Sequence, residues 1–160
     1  MEQDCDRGDD GIPNGIRFET MQASDISAVA RIERETFSQP WSEKGFEDTL
    51  NQEYSIYIVA KLEENDEVVG YCGLLQSFDV AELLNVAVRD DQRGRGIGYA
   101  MLLRLMALGR KRGIGRFTLE VRKSNEAALR LYGKLGFASA GIRRRFYDKP
   151  VEDAVIMWTR

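Results

Sequence analysis

The pattern of this 160-residue chain predicts a single α/β domain, a mixed and mostly antiparallel sheet with helices packed on its faces. Three observations carry that expectation. Seven short strand-like stretches and four helix-like ones, marked by apolar patterning, caps and turn residues, follow in the order β-α-α-β-β-β-α-β-α-β-β. Hairpin-like spacing joins most neighbouring strands. One helix, Tyr99 to about Arg112, follows one strand and precedes another at the distance of a crossover between parallel strands.

Residues Met1 to Gly15 are rich in Asp and Gly and include Pro13 and Asn14, which predicts a disordered arm ahead of a domain spanning residues 16–160. Ile16 to Thr20 alternates as a short strand. Ser24 is placed to cap a helix from Asp25 to Phe37, whose apolar face is Ile26, Val29, Ala30 and Ile32. The turn Ser38-Gln-Pro-Trp41 ends it, and Ser42 caps a shorter helix to about Leu50. Strands follow at Ser55 to Leu62, Val68 to Ser77 and Ala81 to Val88, with turns at Asn65-Asp-Glu67 and Phe78-Asp79. The crossover helix carries Met101, Leu102, Leu105, Met106 and Leu108 and stops near Gly113. Arg116 to Val121 is a strand, Ser124 or Asn125 caps a helix through Leu135, and Gly136 stops it. Phe137 to Phe146 and Glu152 to Trp158 close the domain as an antiparallel pair.

Between the strand ending at Val88 and the crossover helix lies Arg93-Gly-Arg-Gly-Ile-Gly98. Glycines without a β-carbon admit an anion closely, and the first N–H groups of a helix have no intrahelical acceptor, so such a turn can seat a diphosphate. Arg93 and Arg95 add positive charge. A solvated loop is the plainer account of the same composition. Two familiar phosphate loops fail on spacing. The P-loop lysine is missing, and the third glycine of the dinucleotide fingerprint would fall on Tyr99 or Met101, although Glu120 lies where its ribose-binding acid would sit.

Composition narrows the chemistry. The chain has no histidine, so acid–base work near neutral pH falls to carboxylate, tyrosine, cysteine, lysine or water, and the usual histidine metal sites and serine triads are excluded. A net charge of −3 argues against a general nucleic-acid binder. Cys5 and Cys72 suggest neither a disulfide framework nor a metal site. The lack of an apolar run near the ~18 residues of a membrane span, with an acidic N-terminus unlike a signal peptide, points to a reducing cytoplasm.

The turn Arg93-x-x-Gly96-x-Gly98, the run Leu119-Glu-Val-Arg-Lys-Ser-Asn125 and the run Leu131-Tyr-x-Lys-Leu-Gly-Phe137 together resemble the GNAT superfamily of N-acetyltransferases. Phe37-Ser-x-Pro-Trp-Ser42, Asn85-Val-Ala-Val88 and Glu152-Asp-Ala-x-Ile-Met157 make the chain similar to the RimI-type N-terminal protein acetyltransferases within it. The resemblance spans residues 16–158.

It implies a sheet that splays beside residues 85–88 and holds acetyl coenzyme A in the split. The pantetheine arm would run along Val86, Ala87 and Val88, with Asn125 bonding it and Arg93, Gly94, Arg95, Gly96, Ile97 and Gly98 holding the diphosphate. Glu120 would be the catalytic base, directly or through water, and Tyr132 would face the cofactor sulfur as proton or hydrogen-bond donor. The backbone N–H of Val88 or Val86 would receive the carbonyl oxygen. Phe37, Trp41, Arg143 to Arg145, Phe146 and Tyr147 would lie near an acceptor groove that the short hairpin at Asp148-Lys-Pro150 shapes differently from the family pattern.

Each residue also has a plainer reading. Glu120 fits the polar face of a strand, Tyr132 packs beside Leu131 and Leu135, Asn125 caps its helix, and Cys72 is a small buried residue rather than an acyl carrier. The implied acceptor is the α-amino group of a protein, the N-terminal alanine of a small-subunit ribosomal protein. Acetylation of a small amine or lysine, and coenzyme binding without catalysis, are the alternatives.

Overall fold

The computed structural model describes residues 11–159; Cys5 and the first ten positions of the expected arm lie outside them. The elements run β1 (Ile16–Thr20), α1 (Ile26–Thr36), α2 (Glu43–Leu50), β2 (Ser55–Leu62), β3 (Val68–Ser77), β4 (Val80–Val88), α3 (Ile97–Lys111), β5 (Arg116–Arg122), α4 (Glu126–Lys134), β6 (Ala138–Tyr147) and β7 (Glu152–Trp158). The strands form one seven-stranded sheet in the order β1-β2-β3-β4-β5-β7-β6. Every neighbouring pair is antiparallel except β4 and β5, which α3 joins as the crossover. Among the described residues no helix is long and apolar enough to cross a membrane.

Alternation along the strands divides the core into two layers. On one face α1 and α2 cover Tyr57, Val59, Tyr71 and Ala87 with Val29, Ala30, Ile32 and Phe46. On the other, α3 lays Met101, Leu102, Leu105 and Met106 against Ile58, Ala60, Cys72, Leu74, Ala81 and Leu83, and the layer continues through Phe117, Leu119 and Val121. β2 and β3 are buried along most of their length because both faces are covered. β6, at the far edge, is exposed at nearly every position.

Local signals set most element ends, with three corrections. Ser42 caps α2 as expected, its hydroxyl accepting from Gly45 N–H at 3.1 Å. Ser24 caps nothing: it lies in a 3₁₀ turn, Ala23–Asp25, where the Asp25 carboxylate takes the Gln22 N–H at 2.9 Å and Lys61 at 3.1 Å. Of the two candidates for α4, Asn125 is the cap, accepting from Ala128 N–H at 3.1 Å. The helix α3 starts two residues before Tyr99, because Gly96 at φ 80° turns the chain into it. Residues 11–15, expected within the arm, are held: Pro13 is buried and accepts from Ile16 N–H at 3.2 Å, and Ile12 packs on the core.

Candidate functional site

The sheet opens between β4 and β5. These strands share three register pairs, Val80 with Arg116, Ala81 with Phe117 and Glu82 with Thr118. Beyond them β5 pairs only with β7, over Thr118 to Arg122, while β4 continues along β3 to Val88. From Leu83 onward the outer edge of β4 therefore carries no strand among the described residues.

A bulge sets what that edge presents. Cys72 stands opposite Val86 and Leu74 opposite Leu83, so β4 holds one residue more than β3 across this interval. The extra residue changes the alternation: Ala81 and Leu83 face the α3 layer, as do Val86 and Val88 further on. Asn85 beside the bulge is buried, taking the Tyr57 hydroxyl on Oδ1 at 3.1 Å and donating from Nδ2 to Glu33 Oε1 at 3.1 Å. Past the bulge Arg89 N–H donates to Val69 O at 2.7 Å, toward β3. Backbone groups alternate sides along an antiparallel strand, so the N–H groups of Val88 and Val86 face the opening.

The opening ends at the expected turn. The first bond of α3 runs from Ala100 N–H to Gly96 O at 3.1 Å, so the amides of Ile97, Gly98 and Tyr99 precede the ladder. Gly94 at φ 82° and Gly96 at φ 80° occupy left-handed conformations that other residues enter at a cost. A methyl at Gly98 would meet Val88 and Leu131 only at 3.8 Å, so neither crowding nor a positive φ demands glycine there. The arginines frame the turn: Arg93 Nε donates to Val88 O at 3.0 Å and Nη1 to Asp90 at 3.1 Å. Arg95 donates to Gln92 Oε1 at 2.8 Å and to Asn14 O at 2.5 Å. An open strand edge leading into unladdered amides fits an extended carrier with an anionic head.

Glu120 stands on β5 two residues beyond the last pair with β4, opposite Ile156 of β7. Its neighbours Leu119 and Val121 point into the α3 layer, so its half-buried carboxylate lies on the opposite face, 3.3 Å from Arg143 Nη1. Glu82 shares that face. Partial burial, then the charge of Glu120, pushes the Glu82 carboxyl above its usual range, against the pull of Arg143. Tyr147 joins the group, its phenol raised to about 12 by burial and then by Glu120.

Tyr132 sits in the α3 layer, buried edge-on to Phe137 at 5.8 Å. Desolvation pushes its phenol above the ordinary value, which weakens it as an acid. Glu120 and Tyr132 thus lie on opposite faces of the sheet. Cys72 is fully buried, its sulfur 3.8 Å from Met101 O, and desolvation keeps it a thiol, so the acyl-carrier alternative has no structural basis.

The segment from Phe37 to Ser42 and the β6–β7 hairpin meet over Arg122. That guanidinium donates to Pro150 O at 3.0 Å, Asp148 O at 2.8 Å and Ser38 Oγ at 3.3 Å, with the Tyr147 ring 4.5 Å away. Asp148 N–H donates to Gln39 Oε1 at 3.3 Å. Trp41 packs on Phe46 at 5.3 Å, whereas Phe37 and Phe146 stay partly exposed. Arg143 lies 5.6 Å from the Phe146 ring. The hairpin also bulges before its tip, where Arg145 takes φ 52° and donates N–H to Asp153 at 3.0 Å.

Sequence reasoning missed Glu33, Glu82 and Arg122. Glu33 stood out only as a charge on a helix with a clear apolar face. Glu82 and Arg122 looked like ordinary polar positions of alternating strands until the register placed them beside Glu120 and the hairpin.

Comparison with known proteins agrees with this geometry. The Acetyltransferase (GNAT) family matches residues 26–137. The chain is 35% identical over 139 residues, 86% of its length and 91% of the relative's, to a putative [ribosomal protein bS18]-alanine N-acetyltransferase of Bacillus subtilis. It is 36% identical over 140 residues, 86% of its length and 93% of the relative's, to the [ribosomal protein bS18]-alanine N-acetyltransferase of Escherichia coli. The crystal structure of the ribosomal-protein-S18-alanine N-acetyltransferase from Escherichia coli superposes with a TM-score of 0.83 at 34% identity, covering 90% of this chain and 92% of that one. With its sheet opened at β4 and bare amides at the start of α3, the chain belongs to the acetyltransferase (GNAT) family and takes its acyl group from acetyl coenzyme A.

Proposed function

We propose that this protein acetylates the α-amino group of a protein N-terminus, and that its substrate is the N-terminal alanine of ribosomal protein bS18. The observation that carries the reading is the carboxylate of Glu120 on the far rim of an opening whose near rim is the unpaired edge of β4. The names of the bacterial relatives support the choice of acceptor. A chain α-amino group, with a pKa near ~7.8, is roughly one-tenth neutral at pH 7, whereas lysine near ~10.4 is almost wholly protonated. One carboxylate is then a sufficient base.

Acetyl coenzyme A supplies the activated acyl group and a sulfur leaving group. Glu120 receives the amine proton, directly or through water, and Arg143 and Glu82 set the charge around it. The outward N–H of Val86 or Val88 donates to the carbonyl oxygen as charge develops there. The sulfur leaves as a thiolate that takes its proton from water, while Tyr132 donates a hydrogen bond to it and keeps its own proton, because burial has made the phenol a still weaker acid than a thiol. Val86, Ala87 and Val88 bind the pantetheine arm by main chain. Asn125 commits its oxygen to Ala128, which leaves its amide NH₂ for that arm. The amides from Arg93 to Gly98 hold the diphosphate. The domain doing this work is residues 16–160, and the cytoplasm is its compartment.

The test is thiol release from acetyl coenzyme A with an alanine-initiated bS18 peptide, the same peptide blocked at its N-terminus, and a polyamine. Turnover on the free peptide alone is expected. Turnover on the polyamine instead, or coenzyme binding without turnover on any amine, would overturn the assignment.

A further inference from the structure

Glu33 is 2% exposed, carries no role in the chemistry above, and is bonded on both oxygens. Its Oε1 accepts from the Tyr71 hydroxyl at 2.5 Å and from Asn85 Nδ2 at 3.1 Å. Its Oε2 accepts from the backbone N–H of Trp41 at 2.7 Å. The two oxygens therefore address different parts of the molecule. One reaches the β4 bulge, immediately before the Val86-to-Val88 edge, where Tyr57 completes the hold on Asn85. The other reaches the connection between α1 and α2, which is pinned at its opposite end by Arg122 through Ser38 and by Asp148 through Gln39. A buried carboxylate is costly unless its bonds are complete. Here three donors complete them, and one donor belongs to a loop whose Trp41 ring packs on Phe46 in the core.

We propose that Glu33 is a positioning residue that ties the acceptor-side loop to the donor-side edge, fixing the Trp41 segment for binding of the acceptor chain. The proposal rests on the acceptor reading given above. One carboxylate holds both substrate-facing parts in register, so the loop cannot shift without disturbing a bond to the β4 bulge or abandoning its own.

Chemistry offers a selective probe. In Glu33→Gln the amide oxygen keeps the bonds from Tyr71 and Asn85, and the NH₂ is left facing the Trp41 N–H, donor against donor. Tyr71→Phe removes one donor from the other oxygen and leaves the Trp41 bond intact. Losing a hydrogen bond to a charged group corresponds to about tenfold in an equilibrium. Glu33→Gln is expected to raise the KM for the bS18 peptide about tenfold, to leave coenzyme affinity within about twofold, and to speed hydrogen exchange of the Trp41 amide about tenfold. Tyr71→Phe is expected to leave all three near wild type while lowering the melting temperature. Equal effects of the two variants, or a coenzyme affinity that falls as far as acceptor affinity, would overturn the proposal. If Glu33→Gln does not fold, the wild type decides. Its Trp41 amide must exchange more slowly than the other amides of residues 37–42 and more slowly again with bound peptide; fast exchange there would overturn it. Failure of the acceptor reading shows separately, as a wild-type protein that does not turn over the peptide.

Discussion

The two halves of the sheet are built to different standards. From β1 to β4 the strands are paired along their length and sandwiched between helices, so that β2 and β3 are buried almost throughout. From β5 to β7 one face packs on the core, and the other carries Thr118, Glu120, Arg122 and an arginine-rich β6 that is almost wholly exposed. Three register pairs join the halves. A half whose central strands are buried on both faces can hold a backbone edge open; the solvated half can carry charge there without a large desolvation cost. Under the proposed function, donor binding and acid–base chemistry fall on opposite rims of one gap.

Four substitutions would break or sharpen that contrast. Glu120→Gln, on the solvated rim, should lower turnover by about 100-fold or more while leaving coenzyme affinity and stability nearly unchanged, as steady-state kinetics and calorimetry would show. Unchanged turnover would remove Glu120 from the mechanism. Gly73→Ala, in the packed half, should do the reverse. A methyl there would fall 2.1 Å from the Tyr57 ring, which must then move and drop its bond to Asn85. A stability loss of about 3 kcal/mol is expected in denaturant unfolding. Asn125→Ala, where α4 begins beside the gap, should cost about 1 kcal/mol through the lost cap, with a weaker hold on the coenzyme if its amide also serves the pantetheine arm.

The smallest effect is expected from Glu82→Gln. A carboxyl whose pKa is raised in the folded state holds its proton more tightly there than in the unfolded chain. Below the ordinary value of 4.5 both states are protonated and the wild type is not penalised. As pH climbs past 4.5 the unfolded chain ionises first, and wild-type stability declines until the folded group ionises too. The variant should therefore gain a little at neutral pH, under about 0.5 kcal/mol because the site is exposed to solvent, and nothing at pH 4. Melting curves at the two pH values check the sign; a variant less stable at pH 7 would contradict it.

Much of this was legible in the chain because the signals are local. The strands from Ser55 to Val88 show as apolar runs parted by turn residues, Ser42 as a cap, and the glycines at 94, 96 and 98 as a turn that opens a helix. Glu120 and Tyr132 were reachable only through their resemblance to a family pattern, since alternation alone gives Glu120 the same standing as Thr118. Ser24 misled because hydroxyl caps and Asx-type turns share one composition, and Asp25 made the competing bond. Ile12 and Pro13 were hidden by acidic and glycine-rich neighbours, though their own side chains are apolar enough to dock.

What the sequence determined by itself was the succession of elements, the missing histidine and the glycine- and arginine-rich turn ahead of a helix, all properties of composition and short-range spacing. Only the tertiary structure decided that β4 and β5 part after Glu82, that one extra residue in β4 puts the Val86 and Val88 N–H groups on the side of the opening, and that Glu33, Tyr71 and Asn85 meet beneath the Trp41 loop. Those are matters of register between segments distant in the chain. Register is settled by how whole faces bury and which polar groups find partners, a competition that no local stretch of residues encodes.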